Sequence, residues 1–264
     1  MSKETTSKTI AVALGVCLVC SVLVSLATVS LKDRQERNRR LDKLKNILVV
    51  SGLYSKKADI AKTFQDKLRP RIVELETGVP LPEERYDGLL NTRDFDLNRV
   101  AADPRYGMTI PAEQDLAGIK RRPRFMIVYD VIHDGAVEKI ILPVYGKGVW
   151  STLYGFMALG KDLKTVEGFS FYEHGETPGL GGEVDNPRWQ RSWVGKQAFN
   201  KRGELAIEVL RGKVDPEDPK AVSRIDGLSG ASLTTRGVNN LVRYWLGEHG
   251  YGPYLDRLRR EGMR

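Results

Sequence analysis

One short run of hydroxyl-bearing and small residues, Asp226 to Thr235, has the residue types and spacing best suited to chemistry in this chain. It reads Asp-Gly-Leu-Ser-Gly-Ala-Ser-Leu-Thr-Thr. Serine and threonine hydroxyls form phosphoesters, and glycine lets a bulky group lie close to the backbone. The run therefore predicts an attachment site for a phosphate-bearing group.

An amphipathic helix is expected directly after this run, and Gly247 is placed to end it. Its apolar face is predicted from residues at helical spacing: Val238, Leu241, Val242, Trp245 and Leu246. We expect Thr234 or Thr235 as the N-cap, which puts residues 229–232 in the preceding turn. Free backbone N–H groups and the positive end of the helix dipole favour an anion there, and Arg236 can add a charge-assisted hydrogen bond.

Serine, glycine, threonine and aspartate are also the residues of ordinary turns and helix caps, so composition alone does not decide the role of this run. Its order does more. Residues Asp226–Ser232 resemble the covalent flavinylation motif Asp-Gly-x-Ser/Thr-Gly-Ala-Thr/Ser of FMN-binding domains in bacterial respiratory complexes. In that family a flavin transferase joins the phosphate of FMN to the hydroxyl of the last motif residue. The resemblance implies Ser232 as the acceptor, where the family usually has threonine, and leaves Thr234 as the alternative.

Two further stretches, Gly146–Phe156 and Glu173–Glu183, resemble segments of the C-subunit family of the sodium-translocating NADH:quinone reductase. On pattern alone, the glycine-rich run Gly175–Gly182 reads as a turn, because it lacks the residue order of a P-loop or a dinucleotide fold. The resemblance implies that this run packs beside the isoalloxazine ring. Besides Ser232, the cofactor-binding residues that it implies are Asp226, Ser229, Gly230, Ala231, Thr234, Glu176, Thr177, Gly179 and Leu180.

Two aromatic residues near the first of these stretches, Trp150 and Tyr154, have two interpretations. They are candidate neighbours of the flavin ring, or they are core aromatics. Buried aromatic side chains are common, and this favours the core.

The function implied by the resemblance is electron relay by covalently bound FMN, with no independent catalysis by this chain. The complex would oxidise NADH, reduce ubiquinone and move sodium ions, with the other subunits and a maturing flavin transferase as partners. The G subunit of the related Rnf electron-transport complex is the nearest alternative. The long segment before residue 120 and the Glu-Thr-Pro-Gly-Leu-Gly-Gly run at residues 176–182 favour the quinone reductase.

Two alternatives come from other functional classes. Hydrolysis by an activated serine is disfavoured, because Ser229 does not fit the G-x-S-x-G pattern, although His133, His174 and His249 are available as bases. A membrane-tethered binding or scaffold domain without a cofactor is the other. Only the flavoprotein predicts a yellow colour that survives denaturation.

Composition excludes some classes of function. The chain of 264 residues is 41% hydrophobic, enough for one good-sized core. Its net charge of +8 comes with no nucleic-acid recognition motif, so we expect no nucleic-acid partner. Both cysteines, Cys17 and Cys20, fall in an apolar run, where thiols usually act as small hydrophobes. The rest of the chain therefore offers no disulfide framework and no cysteine-type zinc site.

That apolar run, Thr9 to Leu31, has 23 residues without a charge, which is long enough to cross a bilayer as a helix. A cleaved signal peptide is the alternative, but the run exceeds a typical h-region and passes directly into charged residues. Basic residues are more numerous after the run than before it, so the positive-inside rule puts the large domain in the cytoplasm. The family resemblance implies the periplasmic side of a bacterial inner membrane, and we follow it.

The remaining patterns predict an α+β fold. Strands are expected at residues 124–133 and 136–144 around the turn dipeptide Asp134-Gly135, at 152–159 and 165–172, and at 206–210. Helices are expected at 33–50, 57–68 and 188–194, with loops and short elements from 79 to 122. We therefore expect an N-terminal tail (1–8), a transmembrane helix (9–31), a juxtamembrane helix and intervening region (32–120) and an FMN-binding domain (121–264).

Overall fold

The structure, a computed structural model, describes residues 6–263. It has two compact units, with the division between Lys43 and Leu44. Residues 1–5 of the expected N-terminal tail lie outside the described residues. The rest of that tail is already helical, because the first helix begins at Thr6.

The first unit consists of most of one long helix, α1 (Thr6–Ser51). Its apolar part is long and hydrophobic enough to cross a membrane, and none of that part is buried by the rest of the protein. At about 1.5 Å per residue, the 23 residues from Thr9 to Leu31 measure roughly 34 Å, against about 30 Å for the hydrocarbon layer. Cys17 and Cys20 lie in this part with exposed side chains. The predicted continuation of the helix through residues 33–50 is confirmed.

The second unit combines short helices with strands. Its helices within the described residues are α2 (Ile60–Lys67), α3 (Leu97–Ala102), α4 (Pro187–Arg191), α5 (Ser232–Leu246) and α6 (Gly252–Glu261). Its strands are β1 (Leu68–Glu74), β2 (Gly107–Thr109), β3 (Arg121–Pro123), β4 (Phe125–His133), β5 (Ala136–Lys147), β6 (Thr152–Gly160), β7 (Val166–Glu173), β8 (Glu208–Val209) and β9 (Arg224–Ile225). Single 3₁₀ turns occur at Glu83–Arg85, Gly181–Asp185 and Ala221–Ser223.

Five of these strands form one antiparallel sheet in the order β1-β4-β5-β6-β7. The predicted hairpin between β4 and β5 is confirmed, and both of its turn residues have positive φ, +48° at Asp134 and +78° at Gly135. Positive φ at both central residues matches the right-handed twist of the flanking strands. The second predicted pair is present as β6 and β7. The predicted α+β class is confirmed, because the helices lie beside an antiparallel sheet.

Several elements differ from the sequence-based expectation. The edge strand β1 was not predicted, because it contains Pro70 and proline is typical of loops. An edge strand tolerates proline, since one row of its backbone groups needs no hydrogen-bond partner. Helix α2 begins at Ile60 rather than residue 57, since Asp59 caps it by accepting from the Lys62 N–H at 3.0 Å. Helix α6 was also missed, while α4 and β8 are shorter than expected. The segment expected as an intervening region thus supplies a strand of the main sheet.

Helix α5 lies directly on strand β5, and two glycines permit this. A Cβ built on Gly146 would lie 2.5 Å from the Leu241 Cβ, and one built on Gly237 would lie 2.5 Å from the Lys147 carbonyl oxygen. The Trp245 indole N–H donates to the Tyr145 carbonyl oxygen at 2.6 Å. All five apolar residues of the predicted helix face are buried. The start of α5 is therefore held beside the end of β5.

Two tryptophans at and after α4 hold the loop that precedes α5. Trp193 is fully buried and stacks on Phe169 of β7, with ring centroids 4.0 Å apart. Trp189 is also buried, and its indole N–H donates to the Asp226 carbonyl oxygen at 2.8 Å. The loop with the hydroxyl residues is thus anchored to the edge of the main sheet through α4.

Replacing Gly237 with alanine tests the close contact between α5 and β5. Alanine in place of glycine normally stabilises a helix by roughly 0.5–1 kcal/mol. Here the added methyl group meets a backbone carbonyl, so we expect G237A to lower the free energy of unfolding by about 1–3 kcal/mol. Urea or thermal unfolding of the full chain in detergent measures this. The control, Asn240→Ala on the same helix, should leave stability within about 0.5 kcal/mol of wild type; a stabilised G237A would contradict the close contact.

Candidate functional site

Helix α5 begins before the predicted N-caps Thr234 and Thr235, with Ser232 as its first helical residue. The predicted N-caps Thr234 and Thr235 are wrong, because both hydroxyls are engaged elsewhere. The Thr234 hydroxyl donates to a Glu176 carboxylate oxygen at 2.6 Å, and the Thr235 hydroxyl accepts from the Leu228 N–H at 3.0 Å. The N-cap position is occupied by Ala231, which has no side-chain hydrogen bond. The exposed Ser232 hydroxyl therefore stands at the positive end of the helix dipole.

The loop before α5 takes its shape from the other residues of the motif. The Asp226 carboxylate accepts from the Val214 N–H at 2.7 Å. Gly227 lies so close to the Leu210 carbonyl that a Cβ would collide with it. Gly230 has a φ of +72°, in the left-handed region that favours glycine. These residues hold the turn that leads to Ser232.

A groove of about 300 Å³ opens at the start of α5. Its lining residues come from three segments of the chain: Val149 and Trp150 after β5; Glu176, Thr177, Leu180 and Gly181 after β7; and Gly230, Ala231, Ser232, Leu233 and Thr234 at the start of α5. Eight of the twelve predicted site residues thus lie around one groove. A larger cavity of about 770 Å³, beside α6, is lined by none of them.

The Glu176 carboxylate joins the three segments of the groove. It is 5% exposed and accepts hydrogen bonds from the backbone N–H groups of Val149 at 3.1 Å, Trp150 at 3.0 Å and Ser151 at 3.4 Å. It also accepts the Thr234 hydroxyl. We call this set of contacts the Glu176 clasp. It fixes the turn after β5 against the first turn of α5.

The clasp keeps this carboxyl group ionised. Burial alone would raise the pKa of Glu176, but the Thr234 hydroxyl and the three backbone N–H groups hold the pKa below its ordinary value. The neighbouring His174 donates or accepts through Nε2 with Asp185 at 2.8 Å, and this contact raises the pKa of the imidazole. His174 Nδ1 accepts from the Glu176 N–H at 3.2 Å.

The two ends of the groove differ in chemistry. At one end, the N–H groups of the first helical turn of α5, from Ser232 to Thr234, point away from the helix and favour an anion. At its rim, three large apolar side chains are exposed: Trp150 at 72%, Leu180 at 46% and Leu233 at 56%. Exposed apolar side chains around a groove are typical of a ligand or partner site. A phosphate at the helix end and a planar ring among the apolar side chains fit this arrangement, as FMN would require.

Four predicted site residues do not line the groove: Tyr154, Gly179, Asp226 and Ser229. Tyr154 packs against the core and stacks on Tyr145, with ring centroids 5.7 Å apart, as its core interpretation predicted. The core interpretation of Trp150 is wrong, because this residue lies in the turn after β5 and its side chain is exposed to solvent. Val149, Gly181 and Leu233 line the groove and were missed, although each lies within or beside a motif that the sequence already shows.

Comparison with known proteins shows which family this chain is similar to. Residues 148–247, which contain the whole lining of the groove, match the family model described as FMN-binding domain. The C subunit of the Na(+)-translocating NADH-quinone reductase from Pseudomonas aeruginosa is 45% identical over 98% of both chains, and that of Neisseria meningitidis serogroup B is 43% identical over 99% of this chain and 98% of its own. The crystal structure of Shewanella oneidensis NqrC superposes with a TM-score of 0.75 and 32% identity, covering 84% of this chain and 98% of that chain.

Removing the Glu176 clasp should destabilise the protein in a pH-dependent way. The pKa of Glu176 is lower in the folded protein than its ordinary value of 4.5. The stability that the ionised carboxylate contributes is therefore complete above pH 4.5, and it is lost as the pH falls through the lower folded-state pKa. We expect E176A to lose about 2–3 kcal/mol of unfolding free energy at pH 7, and this deficit to shrink below pH 4.5. Thermal unfolding of wild type and variant across this range measures it. The exposed Glu138→Ala serves as control, and a deficit that is equal at all pH values would contradict the ionised clasp.

Proposed function

Because this chain belongs to the C-subunit family of the Na(+)-translocating NADH-quinone reductase, we propose that it carries FMN on Ser232 through a phosphoester and relays electrons within that complex. The chain is one component of an oxidoreductase complex and contains an FMN-binding domain at residues 148–247. The covalent link and the relay are our proposal. No catalysis is assigned to this chain alone.

The observation that carries the proposal is the difference between two hydroxyls. Ser232 is exposed at the amino end of α5, beside the groove. Thr234 is 2% exposed, and its hydroxyl is held by Glu176 at 2.6 Å. A transferase delivering a flavin phosphate can reach the first hydroxyl without unfolding the helix, whereas the second would have to leave the Glu176 clasp. This contrast supports Ser232 as the acceptor.

Each part of the groove has a role under this proposal. When bound, the flavin supplies the electron chemistry, and the protein supplies position and charge. The backbone N–H groups at the start of α5 would bind the phosphate oxygens. In the transfer, Ser232 Oγ would give up its proton and attack the flavin-side phosphorus of a flavin diphosphate ester supplied by the transferase. The bond to the second phosphate would break, and that phosphate would leave with its nucleotide and take the proton. Trp150 and Leu180 would lie against the ring. A side chain at position 230 would meet Leu180 Cδ2, so glycine there keeps this part of the groove open.

The remaining candidates are less well supported. The relatives that match nearly the full length favour the quinone reductase over the Rnf complex, since they cover the segment before residue 120 as well. For hydrolysis, Ser229 would need a histidine base, yet no hydrogen bond among the described residues joins it to one, and His174 is occupied by Asp185 and the Glu176 N–H. A scaffold domain without a cofactor leaves the exposed hydroxyl and the anion-binding helix end unexplained.

We further propose that α1 anchors the chain in the inner membrane with its second unit on the periplasmic side, where a flavin transferase modifies it. The apolar length of α1 and the membrane-complex relatives support the anchor. The excess of basic residues after the apolar run favours the opposite orientation under the positive-inside rule, and labelling of an introduced thiol distinguishes the two.

Substituting the two candidate hydroxyls tests the attachment. Co-expressed with a flavin transferase, S232A should lose all covalent flavin, because the acceptor oxygen is gone. T234A should keep it at reduced yield, since only the clasp is weakened, and Ser232→Thr should be modified like wild type. In-gel fluorescence of the denatured protein and mass spectrometry of the Ser232 peptide provide the measurement. Ser229→Ala is the matched control. Fluorescence that persists in S232A but disappears in T234A would show that Thr234, and not Ser232, carries the flavin.

A single introduced cysteine tests the orientation. Replacing Cys17 and Cys20 with serine leaves a cysteine-free chain, and Lys201→Cys then puts one thiol on an exposed loop of the second unit. A membrane-impermeant maleimide should label this thiol in intact spheroplasts, because the proposed orientation exposes it outside. The cysteine-free chain gives the background. Labelling that appears only after the membrane is broken would put the domain in the cytoplasm.

A further inference from the structure

The groove contains a single kind of fixed charge. Among its eleven lining residues, all within the described part of the chain, Glu176 is the one with an ionisable side chain. The others are apolar, hydroxyl-bearing or glycine. Any ligand in this groove therefore lies beside one carboxylate with no lining cation to balance it.

The geometry keeps that carboxylate in place and desolvated. Glu176 is 5% exposed, and its oxygens are held by three consecutive backbone N–H groups and the Thr234 hydroxyl. Hydrogen bonds to a carboxylate favour its ionised form, and the pKa of Glu176 is accordingly lowered despite burial. The donors are dipoles and carry no net charge, so they stabilise the anion and offset its charge only in part.

We propose that Glu176 sets the reduction potential of the bound flavin by holding a fixed negative charge against it. This inference rests on the proposed flavin site and adds to it a tuning residue, Glu176, that lies outside the hydroxyl-bearing run. Electrons entering the flavin from an upstream redox centre of the complex bring negative charge into the groove. A buried carboxylate opposes that charge and makes reduction less favourable, which gives the carrier a lower potential.

The effect depends on burial. Two charges in a medium of low effective dielectric interact several times more strongly than the same charges in water. The exposed charges near the groove, such as Arg236 at the surface of α5, are screened by solvent and salt. Glu176 is therefore the side chain whose neutralisation should change the potential most.

The test is the midpoint potential of the flavinylated full-length chain in detergent, titrated with dithionite at pH 7 in an optical cell. Glu176→Gln keeps the shape and one hydrogen-bond acceptor but removes the charge. We expect E176Q to shift the potential to a more positive value, with at least a tenfold change in the equilibrium constant for reduction, about 30 mV for a two-electron couple. Flavin content is measured on the same samples after denaturation.

Glu183→Gln is the matched control. Glu183 lies in the 3₁₀ turn beside the groove but does not line it. Its substitution should shift the potential much less than E176Q does. Equal shifts in the two variants would mean that net charge, and not the position of Glu176, sets the potential, and would overturn the proposal.

A second variant covers the case in which E176Q does not fold or does not take up flavin. Thr234→Val keeps the Glu176 charge and removes the hydroxyl dipole that partly offsets it, so the potential should move in the opposite direction, to a more negative value. An unchanged potential in loaded E176Q, or an unchanged or more positive potential in T234V, would overturn the inference. Wild-type protein without covalent flavin would instead overturn the proposed function, so the two failures are distinguishable.

Discussion

The contact between helix α5 and strand β5 is the constraint on which the groove depends. Gly146 and Gly237 let the helix approach until its first turn lies beside the turn that follows β5. With larger side chains at either position the two segments would separate, and the Glu176 carboxylate would no longer span them. Burial of Trp245 and the rest of the apolar face stabilises this arrangement, so the packing of the core determines the geometry of the site.

Residues of the hydroxyl-rich run divide into those that build the loop and those that face the groove. Asp226, Gly227 and Thr235 satisfy or approach backbone groups inside the fold. Ser232 has its hydroxyl at the surface. Asp226, Gly227 and Thr235 therefore specify backbone shape, whereas the side chains of Ser229 and Ser232 are exposed. This division explains why a sequence motif of small polar residues can be specific although each residue alone is ordinary.

The sequence predicted the parts of the fold that depend on local signals. The Asp134-Gly135 hairpin and the apolar face of α5 both follow from neighbouring residues, and both are confirmed. Strand β1 was missed, because its position at the sheet edge, which makes Pro70 acceptable, is a long-range property. The start of α5 was misplaced for a similar reason. The Thr234 hydroxyl donates to Glu176, which is 58 residues away in the chain, and no local sequence pattern predicts that hydrogen bond. The exposure of Trp150 is also a long-range property, because it depends on how distant segments pack around the turn after β5.

The exposed apolar rim formed by Trp150, Leu180 and Leu233 has a consequence for how such a carrier would work. Electron tunnelling weakens steeply with the thickness of protein between two redox groups. A ring seated at this rim would have almost no polypeptide on its outer side, so a partner could come nearly edge to edge with it. Exchange would then be governed by how the partners meet and separate, and much less by conduction through the interior of this protein.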